Sequence, residues 1–194
     1  MAKFFDEIDE KLKSFILDQK IFFVATAARD GRINLSPKGY DSLRVLGPTR
    51  IVWLNLSGSG NETAAHLLSL NRITLMFCSF DSTPLILRVY GSGKAIHPRD
   101  EHWPELAQKF RDYPGMRQII DVKVESVQTS CGFGVPFFDF AGERNKLVEH
   151  FDAKGVEATE SGWLTKNAIS IDGLPTGIES RDPTIVLDKG ECAD

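Results

Sequence analysis

A mainly β fold of the α+β kind is what the sequence predicts: a small barrel flanked by helices rather than a parallel βαβ sheet. About six short, β-prone runs follow one another at close spacing before residue 95. Turn pairs rich in Gly, Pro and Asp separate several of them, and a single helical pattern interrupts the series.

The elements can be justified in order. Phe5, Ile8, Leu12, Phe15 and Ile16 recur at helical spacing between charged residues, predicting an amphipathic first helix that ends near Gln19. Ile21 to Ala27 is β-prone, and Asp30-Gly31 marks a hairpin into a segment from Arg32 to Ser36 that stops at Pro37. Two further strands, 43–46 and 50–56, flank Gly47-Pro48. The loop Ser57-Gly58-Ser59-Gly60 opens a helix over 61–68 that Asn71 can close, and a strand resumes over 73–80. Leu85 to Tyr90 is next, with Gly91 and Gly93 marking a bend or bulge. Beyond it the pattern predicts a helix over 98–112 with Trp103, Leu106 and Phe110 on one side, a strand over 121–127, and a helix over 142–154. From about residue 172 the chain is rich in Gly, Pro and Asp and reads as surface-running. Residues 1–136 are thus expected to form the barrel domain, with 137–194 a helical and irregular extension packed on it.

Composition narrows the function. The 194 residues carry 42% apolar residues, enough for one core, with 13 Phe among its candidates. A net charge of −4 and a pI near 5.6 argue against a dedicated nucleic-acid binder. No run is long and apolar enough to span a bilayer, and the charged start lacks the apolar stretch of a signal peptide, so a cytoplasmic location is expected. Cys78, Cys131 and Cys192 are odd in number and far apart, and His66, His97, His102 and His150 lack ligand spacing; neither a disulfide framework nor a metal site is expected.

The most informative motif is Ser57-Gly58-Ser59-Gly60-Asn61-Glu62-Thr63. A strand delivers the chain into a Gly-rich loop that starts a helix, so first-turn N–H groups and the helix dipole offer an anion site, with Ser59, Asn61 and Thr63 adding donors. An ordinary cap by Ser59 or Asn61 explains the same residues. The loop is neither a Walker A nor a dinucleotide fingerprint. Lys38 and Arg44 stand on neighbouring segments that a hairpin can bring to one phosphate. Arg88 sits inside an apolar strand, where a charge needs a partner, a polar cavity or an outward-facing position. Cys131, Gly132 and Phe133 follow the late strand, where small residues suit either a flat ligand or a plain turn. Trp163, Lys166 and Asn167 belong to a cover segment or to the substrate side.

The order of these pieces resembles the pyridoxamine 5′-phosphate oxidase-like, FMN-binding split-barrel family over about residues 15–136. The resemblance rests on Ser36-Pro37-Lys38-Gly39, Trp53-Leu54-Asn55-Leu56, Ser59-Gly60-Asn61 with its helix, and Leu87-Arg88-Val89-Tyr90-Gly91. The segments 128–136, 140–144 and 167–175 resemble an uncharacterised bacterial and fungal branch. The resemblance implies a six-stranded antiparallel split β-barrel and a homodimer with FMN at the subunit interface. It places Lys38 at the FMN phosphate, Trp53, Leu54 and Asn55 along the ring, and Ser59, Asn61, Glu62 and Thr63 about the phosphate. Arg44 would join Lys38, Arg88 would lie near ring or phosphate, and Cys131, Gly132 and Phe133 would come from the partner.

Departures from the family pattern matter. Of the Arg-x-Val-Leu-Leu-Lys stretch of the oxidases only Lys38 is matched, with Ile33 at the Arg position and Arg32 on the opposite strand face. Gly60-Asn61-Glu62 stands where the oxidases have Ser-Arg-Lys, so two cations are missing, and their C-terminal substrate pattern is absent. The expectation is an FMN-dependent oxidoreductase on an unidentified small substrate, with the departures speaking against pyridoxamine phosphate and no catalytic residue assigned. The alternatives are a non-catalytic flavin-binding, storage or sensing module, or a barrel holding another phosphate-bearing ligand.

Overall fold

The computed structural model describes residues 2–178; Cys192 lies outside them. Eight strands and five helices are described: β1 (Lys3–Phe5), α1 (Glu10–Asp18), β2 (Phe22–Thr26), β3 (Asn34–Lys38), β4 (Leu43–Gly47), β5 (Arg50–Leu56), α2 (Glu62–Ser69), β6 (Ile73–Cys78), β7 (Leu85–Ile96), α3 (Trp103–Ala107), β8 (Met116–Cys131), α4 (Lys146–Lys154) and α5 (Val156–Lys166).

One antiparallel sheet runs β3-β2-β6-β7-β8-β5-β4, and β1 adds to β8 beyond β5. The sheet curls. Phe22 of β2 meets Trp53 of β5 edge-on at 6.2 Å between centroids, although β6, β7 and β8 lie between them in sheet order. Inside the curl pack Val24, Ile51, Leu75, Leu87 and Val122, plugged by Leu12 and Ile16 of α1. Burying each of those two helix side chains stabilises the fold by about 1.5–3 kcal/mol.

The six-stranded barrel expected from the sequence is corrected in two ways. Eight strands are described, and among the described residues no ladder joins β3 to β4, so the sheet stays open along that seam. Pro37 lies within β3 opposite Phe23, and a residue without an N–H belongs on an edge strand. The strand therefore runs through Pro37 to Lys38 instead of stopping before it.

Other boundaries differ for local reasons. Asp9 caps α1 by accepting from the Leu12 N–H at 2.7 Å, so the helix starts there and Phe5 belongs to β1. The Arg29-Asp30-Gly31 turn is a hairpin as expected, with Gly31 at φ +100°. Asn71 does not close α2; Leu70 is the C-cap, and the Asn71 side chain accepts from the Gly93 N–H at 2.7 Å. The bulge falls between Tyr90 and Gly91, after which β7 runs on to Ile96. The long helix expected over 98–112 shrinks to α3, which has Pro104 in its first turn. The late strand begins at Met116, five residues earlier than the sequence indicated.

Not every phenylalanine joins the core: Phe4, Phe133, Phe137, Phe138 and Phe140 are exposed. The described part of the segment expected to run over the surface is tied down, with Thr176 and Ile178 buried. Asp172 there pairs with Arg32 on the β2–β3 hairpin.

Candidate functional site

The open seam continues into a polar cavity of about 350 Å³ between β3, the end of β5 and the start of α2. Its volume is at the small end for ligand pockets. Of the residues singled out from sequence, Lys38, Leu54, Asn55, Ser59, Asn61, Glu62 and Thr63 line it.

Alternation along β3 brings Asn34, Ser36 and Lys38 to the cavity, while Leu35 faces out and Pro37, though exposed, borders the cavity rim. The Lys38 Nζ donates to Asn55 Oδ1 at 3.3 Å. Burial, followed by the positive charge of Arg117, pulls the Lys38 ammonium down to a pKa of about 8. Thr63 is buried, and its Oγ1 accepts from Asn34 Nδ2 at 3.1 Å.

At the start of α2 the ordinary cap does not form. Asn61 occupies the N-cap position without a side-chain capping bond. Its amide instead pairs with Gln118 on β8, Gln118 Nε2 donating to Asn61 Oδ1 at 2.8 Å and Asn61 Nδ2 to Gln118 Oε1 at 3.4 Å. No side-chain cap thus competes for the helix-start N–H groups, so they keep the anion-binding character of a helix N-terminus. Glu62, a residue that would repel an anion, has its carboxylate turned to the Ile171 N–H at 3.2 Å.

Arg117 is the residue that sequence reasoning missed. It enters from the start of β8, is 3% exposed and lines the cavity. Its Nη1 donates to the Gly60 carbonyl and to Asn167 Oδ1, both at 2.9 Å, and its Nε has no hydrogen-bond partner among the described residues. Burial pushes its pKa down to about 10, still cationic at neutral pH. Two desolvated cations therefore converge on a helix start, and neither forms an ion pair among the described residues. Such a site favours an anion. The signal was a lone Arg beside the apolar pair Ile119-Ile120, hidden because the sequence pattern starts the late strand too far downstream.

Several expected residues are not in the cavity. Arg44 is held elsewhere, by both Asp41 carboxylate oxygens, by the Lys109 carbonyl at 3.0 Å and over the Phe110 ring. Trp53 faces the core, fully buried, on a strand paired on both sides, and is not among the residues lining this cavity. Arg88 is half-buried on β7 and reaches Ser130 Oγ at 3.4 Å. Cys131, Gly132 and Phe133, expected from a partner subunit rather than from the chain's own cavity, lie at the far end of β8. A Cβ on Gly132 would stand 2.8 Å from the Leu85 N, so close packing on the chain's own backbone explains that glycine. His66 is a packing residue, buried with Nδ1 3.1 Å from Thr26 Oγ1.

The C-terminal extension backs the loop. Trp163 Nε1 donates to Ser57 Oγ at 2.7 Å, and Asn167 Nδ2 reaches the Gly58 and Ser59 carbonyls at 3.4 and 3.3 Å. A second, wider cavity of about 1060 Å³ adjoins the first at Lys38, Gly39 and Tyr40, with Phe80, Phe138 and Phe140 in its wall. Tyr40 stands between the two at φ +59°, its hydroxyl donating to the Arg144 carbonyl at 2.5 Å. A non-glycine residue in that region costs about 1–3 kcal/mol, a cost often met at functional sites.

Comparison with known proteins agrees with this architecture. The family model described as pyridoxamine 5′-phosphate oxidase matches residues 8–131. The pyridoxamine 5′-phosphate oxidase family protein ustO of Aspergillus flavus is 35% identical over an alignment 212 residues long, covering 98% of this chain and 82% of that one. A single-residue variant of HupZ from Group A Streptococcus superposes with a TM-score of 0.52 at 18% identity, over 63% of this chain and 99% of that one. A Lactobacillus delbrueckii protein described as a candidate pyridoxamine 5′-phosphate oxidase gives a TM-score of 0.52 at 18% identity, over 63% and 94%. At such identities the structural likeness speaks for the fold alone.

Proposed function

The chain belongs to the pyridoxamine 5′-phosphate oxidase family, and from that premise we propose that it is an FMN-dependent oxidoreductase acting on a small substrate. The observation that carries the reading is the convergence of Lys38 and Arg117 on the α2 start in one cavity. A phosphate monoester is close to a dianion at neutral pH, with a second pKa of about 6. Two buried cations and a helix start fit such a group.

Arg117 answers the deficit of cations noted in the sequence. Its unpartnered Nε is a buried donor in want of an acceptor, which is what a phosphate oxygen supplies. Lys38 would hold the same phosphate, with Ser59, Asn61 and Thr63 around it, while Leu54 and Asn55 line the same cavity. FMN, when bound, supplies hydride and electron transfer; the protein supplies binding and orientation. The aromatic wall of the adjoining cavity suits a flat or apolar substrate beside the ring. Ile33 and Leu35 are exposed along the seam strand and its approach, a surface that a second copy would cover in the proposed homodimer.

The test is the visible spectrum of the purified protein, before and after addition of FMN. A yellow protein is expected, and a colourless one that takes up no FMN overturns the reading. Anaerobic reduction by NADH or NADPH, with reoxidation by candidate acceptors, is expected next. Bound FMN that no donor reduces would make the protein a flavin-holding module instead.

A further inference from the structure

We infer that Asn167, in the C-terminal extension, is a positioning residue of the phosphate site, holding Arg117 and the Gly58–Gly60 loop in one fixed arrangement. The inference rests on the flavin reading above and adds to it a part of the chain outside residues 8–131, where the family model matches.

Asn167 is 3% exposed, and every bond of its side chain goes to the candidate site. Oδ1 accepts from Arg117 Nη1, while Nδ2 donates to the Gly58 and Ser59 carbonyls. One amide thus ties the cation from β8 to the loop before α2, two elements distant in sequence. An amide meets both demands at once, accepting from a guanidinium through its oxygen and donating to two carbonyls through its nitrogen. The main chain of Asn167 is itself fixed, its N–H donating to the Trp163 carbonyl at 2.9 Å and its carbonyl accepting from Thr176 Oγ1 at 2.6 Å. Two more bonds run the same way, from Trp163 to Ser57 and from the Ile171 N–H to Glu62. The second of these keeps a carboxylate occupied at the mouth of an anion site.

Arg117 has many rotamers, and a buried guanidinium without Asn167 would be held by Gly60 alone. Loss of the amide should therefore weaken recognition of the phosphate and spare that of the ring.

The full-length wild type, Asn167→Ala, Arg117→Ala and the double variant are titrated with FMN and with riboflavin, which has the same ring and no phosphate, following quenching of flavin fluorescence. Asn167→Ala is expected to weaken FMN on the order of tenfold, the scale of one hydrogen bond to a charged group, and to leave riboflavin within about twofold. The double variant should lose less than the sum of the two single losses, since part of the effect of Asn167 runs through Arg117 and part through the loop. Should Asn167→Ala fail to fold, the isosteric Asn167→Asp carries the test. It still accepts from Arg117 but cancels its charge and repels the two carbonyls, so the same selective loss of FMN is expected. Where the wild type binds FMN, equal losses for FMN and riboflavin in the Asn167 variant, or an FMN affinity it leaves unchanged, overturn the inference alone. A wild type that takes neither FMN nor inorganic phosphate, the latter followed by phosphorus NMR, overturns the flavin reading and the inference together.

Discussion

Asn61 and Gln118 face each other as a buried amide pair joined by two hydrogen bonds, one chain segment starting α2 and the other β8. The pairing takes Asn61 away from the capping role its sequence position suggests. Gln118→Leu should therefore have two effects. Leaving a buried amide unsatisfied costs about 1–3 kcal/mol of stability, read by urea unfolding. The freed Asn61 can then turn to cap α2 and compete for its N–H groups, so FMN binding should weaken as well. Unchanged FMN affinity in a folded Gln118→Leu protein would show that the helix start is not the phosphate cradle.

Lys38 should make FMN binding pH-dependent in a window the structure specifies. With a pKa of about 8 against an ordinary 10.5, the ammonium discharges early as pH rises. The phosphate is already a dianion above about pH 7, so affinity should fall as pH rises through about 8. Lys38→Arg, whose charge does not titrate there, should flatten the curve, and Lys38→Met should lower affinity throughout. In the unliganded protein the sign is also set. The folded state binds fewer protons than the unfolded one between about 8 and 10.5, so this group's contribution to stability rises with pH across that window. Urea titrations at several pH values, wild type against Lys38→Met, isolate it.

Arg44 should be dispensable for the cofactor and needed for packing. Its guanidinium braces the Lys109 carbonyl and lies 4.9 Å from the Phe110 ring centroid. Arg44→Ala is expected to leave the FMN dissociation constant within about twofold while lowering stability by about 1–2 kcal/mol, mostly through the lost carbonyl bond and ring contact. The exposed carboxylate of Asp41 adds little to that figure.

These residues also show which parts of the molecule are legible in its sequence. β5 has the limits its sequence suggests because Arg50 to Leu56 lies between strong turn signals. Lys38, Asn55 and Asn61 can be found because strand ends and a Gly-rich loop are local features. Arg117 cannot, since its importance comes from three segments meeting, at Gly60, Arg117 and Asn167, and pairing distant in sequence leaves no local mark. Arg44 and Trp53 mislead for a related reason. Sequence places them near the site, but which side a strand residue faces depends on register, here Leu43 opposite Trp53 and Arg44 opposite Val52. The extra strand pairing of Lys3 to Phe5 is equally unreadable, because Phe5 also fits the helical spacing that follows.

Gly91 gives a test of the fold that is independent of any ligand. At the bulge in β7 a Cβ on this residue would stand 2.1 Å from the Lys123 carbonyl oxygen, on backbone that belongs to β8. Neither partner can yield by rotating a side chain, so the strands must separate or the bulge must move. A shift of the bulge would carry the following residues, Gly93 to Ile96, out of register, and Ile96 out of its buried position beside Leu54 and Ile119. Gly91→Ala should therefore destabilise by more than about 3 kcal/mol, beyond the usual range for a single added methyl. Gly134, with nothing within 4 Å of its Cβ position, makes the matched control, and Gly134→Ala should leave the urea midpoint nearly unchanged. Equal midpoints for the two variants would mean that β7 and β8 do not approach as closely at the bulge as this register requires.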